Sequence, residues 1–235
     1  MEHFRGFDRD TFLMLAENKF NDSRPYYESV KETLKQKVTL PMRGLCSRMA
    51  NELFEIDPLM NLVPGKMVSR IRRDTRRAKE KNMYRDNIWA MFMRPKQEWR
   101  RQPCMWFEVF PGGFTIGVGV YDVDPLFMAA FRESLLADQE GFRAALQSVS
   151  RVGAVADLER YAKDKPGSGT VGDDLKLYYN AKSLYFIRYD SDMEPLFDGR
   201  IEDLLRESIR AYAPMYRFFL RVMEKTIEEK GKQHE

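Results

Sequence analysis

Two apolar runs joined by Pro111, Gly112 and Gly113 constrain the fold of this chain more than any other feature. The first run, CMWFEVF, and the second, FTIGVGVYDV, have the length and the β-branched and aromatic content of strands. Pro-Gly-Gly between two such runs is typical of a tight turn. The sequence therefore predicts an antiparallel hairpin near the middle of the chain, and with it a sheet.

Segments on both sides of this hairpin have helical periodicity. Ser23 followed by Pro25 indicates a helix start, because a serine hydroxyl caps the first N–H groups and proline in the first turn loses no hydrogen bond. A kink is expected at Pro214 in a long C-terminal helix. The segment PMRGLCSRMANELFEI is expected to form a helix that buries Leu45, Met49, Leu53 and Phe54.

Further strands are expected next to the hairpin. Short strands are predicted at residues 67–73 (MVSRIRR) and in IWAMFM, and LYFIRYD is expected to be an edge strand. Helices before and after a strand-rich centre indicate the α+β class. We expect one domain over residues 1–235, with a central, mostly antiparallel sheet flanked by N-terminal and C-terminal helices.

The histidine and cysteine content excludes several kinds of catalytic and metal site. The two histidines, His3 and His234, lie at the ends of the chain. We therefore expect neither a catalytic triad built on an imidazole nor a zinc site. Cys46 and Cys104 lie far apart in apolar surroundings and form no CxxC pattern. We predict neither a metal nor a cofactor, and the cysteine usage favours a reducing compartment.

Hydropathy favours a soluble protein. Hydrophobic residues make up 43% of the chain, and no apolar run approaches the roughly 18 residues that cross a bilayer. The first residues, MEHFRGFDRD, lack the apolar core of a signal peptide. We expect a cytoplasmic protein that does not interact with membranes; the pattern predicts no oligomeric state.

Positive charge is concentrated in one segment. Residues 66–85 contain nine Lys or Arg residues against Asp74 and Glu80, whereas the whole chain carries a net charge of only +3. Arginine presents a rigid fork of donors that suits carboxylate and phosphate oxygens. The segment therefore predicts a binding site for an anionic small molecule, either phosphorylated or carboxylated.

The expected pocket combines this basic segment with one face of the hairpin. Two glycines on one face of a strand indicate that a ligand or a packed helix approaches the backbone closely. Asp74 is expected to orient a neighbouring arginine. The predicted site residues are Arg70, Arg73, Asp74, Arg76, Lys81, Tyr84, Gly117, Gly119 and Tyr121.

Three alternatives remain open. Single-stranded nucleic acid is one possible partner of segment 66–101, where basic residues are interleaved with Trp89, Phe92 and Trp99. A second alternative is a purely structural Arg–Asp network without a ligand. A third is catalysis in the same pocket, with Asp74 or Glu108 as base and Tyr84 or Tyr121 as acid, but the sequence names no reaction.

One further set of residues forms a pattern along the chain: Phe12, Leu13, Asn21, Asp22, Tyr26, Tyr27, Lys31, Arg70, Arg73, Asp74, Arg76, Lys81, Tyr84, Tyr121, Pro214, Phe219 and Leu220. In these residues and in their order the chain resembles the family catalogued as domain of unknown function 2461. The resemblance covers nearly the whole chain. It implies an α+β domain of the bacterial cytosol and carries no established activity, so it assigns no catalytic role. The sequence departs from the family pattern at Arg77, Ala78, Met83 and Arg85.

Overall fold

The computed structural model describes residues 3–76, 81–95, 101–120 and 122–232. Helices precede and follow the first three strands along the chain, and the described residues form an α+β fold, as the sequence predicts. The helices are α1 (Thr11–Asn21), α2 (Arg24–Leu34), α3 (Leu40–Arg48), α4 (Ala50–Ile56), α5 (Pro64–Met67), α6 (Pro125–Ala137), α7 (Gln139–Ser150), α8 (Lys176–Tyr179), α9 (Glu194–Asp198) and α10 (Ile201–Lys232). The strands are β1 (Ile88–Phe92), β2 (Pro103–Phe110), β3 (Gly113–Val120), β4 (Val155–Asp157) and β5 (Tyr185–Asp190).

The strands form one antiparallel sheet in the order β1-β2-β3-β5-β4. The predicted hairpin is confirmed as β2 and β3, with the turn at residues 111 and 112. β5 lies between β3 and β4, so the prediction that LYFIRYD is an edge strand was wrong. The edge strands are β1 and the three-residue β4, whose Val155 pairs with Ile187 of β5. So short a strand, half exposed, has no apolar alternation that sequence reading could detect.

By its internal contacts the described chain divides into two compact units. The first comprises residues 1–92, 106–116 and 189–207, and the second comprises residues 93–105, 117–188 and 208–235. The core of the second unit contains an aromatic cluster from α6, α7 and α10, in which the rings of Phe142 and Phe218 lie 5.0 Å apart and those of Phe131 and Phe142 lie 5.6 Å apart. Such pairs stabilise a fold by about 0.5–1.5 kcal/mol beyond the apolar area they bury. The expectation of a single domain stays a prediction.

In the first unit, α2 and α3 are joined by a π-helical turn at Lys35–Thr39. The cause lies in Pro41, which has no N–H to donate to the carbonyl of Lys37 and whose ring would clash with it in a regular helix. The helix widens there: the N–H of Leu40 donates to the carbonyl of Lys35, and the Lys37 carbonyl accepts a hydrogen bond from Oγ1 of the buried Thr11 at 3.1 Å. Turns of this type recur at functional sites.

Two other expectations from the sequence need correction. Leu45, Met49 and Leu53 are buried as predicted, but Phe54 is 53% exposed, because the segment breaks into α3 and α4 at Met49 and the helical stripe does not continue across the break. Residues 67–73 form no regular strand. Instead, Val68 and Arg72 make isolated antiparallel bridges to Ala90 and Tyr84.

Within the described residues, no helix combines the length and apolar character that crossing a bilayer requires.

Candidate functional site

A cleft of about 620 Å³ lies in the first unit, between the helix that runs from α2 through α3 and the chain from Gly65 to Arg72. We call it the main cleft. Helical residues line one side: Tyr27, Glu28, Lys31, Leu34, Lys35, Thr39 and Arg43. Gly65 of α5 and Val68, Ser69, Arg70, Ile71 and Arg72 line the other.

The side of the cleft that carries Arg70 and Arg72 is an irregular two-stranded ribbon, residues 68–73 against residues 83–90. Backbone hydrogen bonds hold the ribbon together: Ser69 N–H donates to Trp89 O at 2.8 Å, Arg73 N–H to Met83 O at 2.8 Å, and Arg85 N–H to Ile71 O at 3.0 Å. The side chains of Val68 and Ile71 are buried, whereas those of Arg70 and Arg72 are exposed. This pattern turns the two arginines toward the solvent side of the ribbon.

Asp22, at the junction of α1 and α2, fixes the ribbon to the helices. The backbone of Asp22 is in the left-handed conformation, with φ of 40°. Its side-chain Oδ1 accepts hydrogen bonds from the N–H groups of Met83 at 2.7 Å and Tyr84 at 3.1 Å. A second tie is the ion pair between Lys19 and Asp86 at 2.8 Å. The position of the ribbon relative to α2 is thus set by charge-assisted hydrogen bonds, the stronger class of such bonds.

The two ends of the main cleft are marked by different contacts. At one end the guanidinium carbon of Arg43 lies 4.0 Å from the place where a Cβ atom of Gly65 would be. At the other end the ring of Tyr27 stacks on that of Tyr84, which is bridged to Arg72. Helix and ribbon therefore run side by side, with Arg43 at one end of the cleft and Arg72 at the other.

The cations that line the main cleft differ in how they are compensated. Lys31 pairs with Glu28 at 3.4 Å and Lys35 pairs with Glu32 at 3.3 Å. In contrast, no carboxylate of a described residue forms an ion pair with any of the three arginines of the cleft, which are Arg43, Arg70 and Arg72.

Elsewhere in the described chain many arginines have acidic partners. Arg9 pairs with Glu194 at 2.6 Å, Arg143 with Asp174 at 2.8 Å, and Arg206 with Glu52 at 2.7 Å. The absence of such partners in the main cleft leaves three guanidinium forks open to an external anion.

A second cleft, of about 360 Å³, adjoins the same arginines. We call it the side cleft. It shares Arg70 and Arg72 with the main cleft and is otherwise lined by Arg73, Asp74, Thr75 and Arg76. The two shared arginines therefore line both concavities.

The structure places the predicted cationic site residues in different settings. Arg70 lines both clefts, and the half-buried Arg73 lines the side cleft. Arg76 forms a bidentate pair with Asp74, at 2.9 Å and 2.6 Å, and this pairing raises the pKa of Arg76. An ion pair of this kind would be one part of the purely structural Arg–Asp network that is the second alternative from the sequence. Lys81 is exposed and does not belong to the lining of either cleft among the described residues.

Tyr84, another of the predicted site residues, is only 1% exposed. Burial is the main cause that raises the pKa of its phenol. Its neighbour Arg85 is half-buried, stacks on the ring of Trp89 at 4.4 Å and donates to the carbonyl of Arg70. Burial, followed by the positive charge of Arg73, lowers the pKa of Arg85. Both residues therefore make structural contacts with and within the ribbon.

The two glycines belong to another part of the chain than the predicted arginines. A Cβ atom on Gly119 would lie 2.5 Å from Cδ1 of Tyr185 and 3.1 Å from the carbonyl oxygen of Leu184, so this glycine admits the neighbouring strand β5. Gly117 is buried, and neither glycine lines the main or the side cleft. Tyr121 lies outside the described residues.

Four cationic residues of the main cleft were not among the predicted site residues: Lys31, Lys35, Arg43 and Arg72. The first three recur at intervals of four and eight along one continuous helix, so they share a face. That spacing was a usable signal, but a basic helix face is more often simply solvated. The missing information was tertiary, namely that the ribbon lies along this face.

The side chains considered for metal binding and acid–base chemistry have the following settings. Among the described residues, no group of three or more His, Cys, Asp or Glu side chains could hold a metal ion. Of the residues considered for acid–base chemistry, Asp74 is engaged by Arg76, and Glu108 accepts a hydrogen bond from Nδ2 of Asn87.

A model of a protein family, described as a conserved hypothetical protein (DUF2461), matches residues 10–218. This range includes the whole lining of both clefts. No curated protein matches the chain.

Proposed function

Since the chain belongs to the DUF2461 family, whose description names no activity, we propose a function from its own residues: it binds an anionic small molecule, phosphorylated or carboxylated, in the main cleft. The arginines of the proposed site are Arg43, Arg70 and Arg72. Arg73 contributes through the side cleft, whereas Arg76, Lys81 and Tyr84 are no longer proposed as direct contacts. The proposal includes no reaction.

The observation that carries the proposal is the group of three cleft arginines without an ion-pair partner among the described residues. Each guanidinium offers a planar fork that suits two oxygens of a phosphate or carboxylate. A hydrogen bond to a charged group contributes about 1.5–3 kcal/mol, and the partial enclosure of a cleft strengthens it. An anion that reaches two of these arginines would therefore gain enough for specific binding.

The lining of the main cleft also favours an organic anion over a bare inorganic one. The buried side chains of Leu34, Val68 and Ile71 supply apolar surface, and Tyr27 supplies a ring. A volume of about 620 Å³ falls in the range of roughly 300–1,000 Å³ of small-molecule sites. The apolar surface would take the carbon skeleton of a ligand whose charged groups meet the arginines.

Single-stranded nucleic acid remains the second candidate, but its stacking platform is poorer than the sequence suggested. Phe92 is fully buried, and the guanidinium of Arg85 covers the ring of Trp89. Bases that stack on a protein need open aromatic faces. A steep dependence of oligonucleotide affinity on salt concentration would favour this candidate.

The test is a thermal-shift screen of sugar phosphates, nucleotides and dicarboxylates, with each hit confirmed by isothermal titration calorimetry. A ligand at 100 times its Kd should stabilise the protein by about 2.7 kcal/mol. For a chain of this size, that raises Tm by roughly 5–11 °C.

Variants then locate the site. Arg70→Gln and Arg72→Gln should each weaken the best hit about tenfold or more at unchanged Tm of the free protein, because both side chains are exposed. Arg151→Gln, an exposed arginine of the second unit, is the matched control and should bind like the wild type. Failure of every anion to bind, or equal binding by the Arg70 and control variants, would refute the proposal.

A cytoplasmic location is part of the proposal. It is supported by Cys46 and Cys104, which are buried and form no disulfide, as expected of a protein in a reducing compartment.

A further inference from the structure

We infer that the ligand of the main cleft is an elongated anion with two charged groups, one at each end of an apolar segment. This inference rests on the proposed function and specifies the class of ligand. It follows from the length of the cleft, from where its uncompensated charge lies, and from what lies between.

The cleft is long because a single helical rod lines one whole side of it. Tyr27 and Arg43 mark its ends and are sixteen positions apart in the helix that runs from α2 through the π-turn into α3. At 1.5 Å per residue their Cα atoms are separated by roughly 20–24 Å, with the π-turn somewhat shorter than regular helix. A phosphate or a short dicarboxylate spans only part of this length.

The uncompensated charge lies at the two ends of the rod. Arg43, beside Gly65, is at one end, and Arg72, bridged to Tyr84 beneath Tyr27, is at the other. Arg70, the third arginine, lies two residues from Arg72 along the ribbon, roughly 7 Å away, and belongs to the same end. The lysines between them, Lys31 and Lys35, are each paired with a glutamate one turn earlier. The cleft therefore offers open guanidinium forks at its ends and largely neutralised charge along its middle.

The middle of the cleft is apolar at its floor. Leu34 lies about midway between the two ends of the helical side and is 1% exposed, and Val68 and Ile71 face it from the ribbon side of the lining. These three side chains carry no charged or hydrogen-bonding group that could meet a ligand. A ligand with charge in its middle would have to desolvate that charge over this floor, so an apolar spacer fits better.

The test uses linear alkane dicarboxylates of increasing length, from butanedioate through octanedioate and dodecanedioate, in calorimetric titrations. Monocarboxylates and uncharged diols of the same lengths are the matched ligands, and alkanediol bisphosphates repeat the series with the other head group. We expect affinity to rise with length to an optimum. At the optimum the two-headed anion should bind at least about tenfold more tightly than the one-headed anion of equal length, a difference of about 1.4 kcal/mol.

Variants at each end separate the two heads. Arg43→Gln and Arg72→Gln should each abolish the advantage of the two-headed ligand. A one-headed ligand uses only one end of the cleft, so the variant at the other end should bind it within about threefold of the wild-type affinity. Lys66→Gln, which removes an exposed charge next to Gly65 but outside the cleft lining, should leave the advantage intact. Equal Tm values of the free variants establish that they are folded.

The outcomes distinguish this inference from the function on which it rests. Tight binding of short anions that depends on Arg70 and Arg72 but does not improve with length, or equal binding of one-headed and two-headed ligands, would overturn the inference and leave the anion site standing. Binding of the uncharged diols as tightly as the diacids would overturn both. Absence of binding by all charged ligands would also overturn both.

Discussion

The rings of Tyr27 and Tyr84 stack with their centroids 4.7 Å apart and their planes inclined by 24°. This contact joins the helix on one side of the main cleft to the ribbon on the other, at the end where Arg72 lies. Tyr84 is almost completely buried, while Tyr27 is half-buried and lines the cleft. The stack therefore sets the width of the cleft at that end. The contact is made by the two rings and does not need the hydroxyl of Tyr84.

Replacing Tyr84 tests this structural role. Tyr84→Ala should lower the free energy of unfolding by about 3–5 kcal/mol, because it leaves a cavity beneath Tyr27. Tyr84→Phe should cost less than about 1.5 kcal/mol, because it keeps the stack. Urea denaturation measures both. The neighbouring Tyr26 is the control, and Tyr26→Ala should cost less than Tyr84→Ala because that ring is only half-buried. Comparable losses for the two alanine variants would contradict the role given to the stack.

The carboxylate of Asp22 should control the local order of the ribbon. Asp22→Ala removes the acceptor for two backbone N–H groups and places a Cβ-bearing residue without local hydrogen bonds in a left-handed conformation, so we expect a loss of about 2–3 kcal/mol. Asp22→Asn keeps one carbonyl oxygen and tolerates the conformation, and should lose less. Native-state hydrogen exchange should accelerate at the amides of Met83 and Tyr84 in the alanine variant. Unchanged exchange at these two amides would argue against this role of Asp22. The control is Asn21→Ala, which should leave both amides protected.

The π-turn provides a prediction about energetic coupling between Thr11 and Pro41. Thr11→Val should destabilise the protein by about 1–2 kcal/mol, because the carbonyl of Lys37 loses the hydroxyl that donates to it. With Pro41→Ala, residue 41 regains an N–H that can donate to that carbonyl. Thr11→Val should then cost less, with a coupling energy of about 0.5–1.5 kcal/mol in a double-mutant cycle. Strict additivity of the two substitutions would show that Pro41 does not govern this carbonyl.

A buried carboxylate in α10 should make part of the stability depend on pH. Burial alone would raise the pKa of Glu202, but the N–H of Phe4, at 2.8 Å, and the guanidinium groups of Arg206 and Arg48 outweigh burial and lower it. A lowered pKa in the folded state means that the stabilisation is present above the unfolded value of about 4.3 and is lost as pH falls through the folded value.

Glu202→Gln measures this contribution. The variant should be less stable than the wild type by about 2 kcal/mol at neutral pH, and the difference should shrink steadily below about pH 4. The control is Asp203→Asn, since Asp203 is 78% exposed and lies 3.7 Å from the same Arg206, and it should change stability by less than about 0.5 kcal/mol. A difference between wild type and Glu202→Gln that is constant from pH 3 to pH 7 would contradict the assignment.

The elements that the sequence predicts well are those with local signals. The side chain of Ser23 caps α2 by accepting a hydrogen bond from the N–H of Tyr26, and Pro25 lies in the first turn. The Pro-Gly turn joins β2 to β3. In both places proline restricts the backbone directly. The position of β5 between β3 and β4 has no such signal. It depends on a three-residue partner strand that no periodicity marks.

The candidate site was predictable only on its ribbon side. Arg70 could be found because basic residues are dense in that segment. Arg43 was missed, because its helical spacing from Lys31 and Lys35 marks a basic face but does not tell whether that face lines a cleft or is solvated. Asp74 and Arg76 show the opposite error: two residues apart, they satisfy each other. Charge density locates such a segment, but which of its cations remain open to a ligand is decided by tertiary contacts.

The sheet order has a consequence for the chain during its synthesis. β3 ends at Val120, but its neighbour β5 begins only at Tyr185, so the outer edge of the hairpin is complete long before its partner has been made. At translation rates of 5–20 residues per second, roughly 3–13 s separate the two strands. For that interval a ribosome-bound chain presents the unpaired backbone of an apolar strand, a surface that invites pairing with another nascent chain. A chaperone bound during those seconds would shield this strand from such pairing.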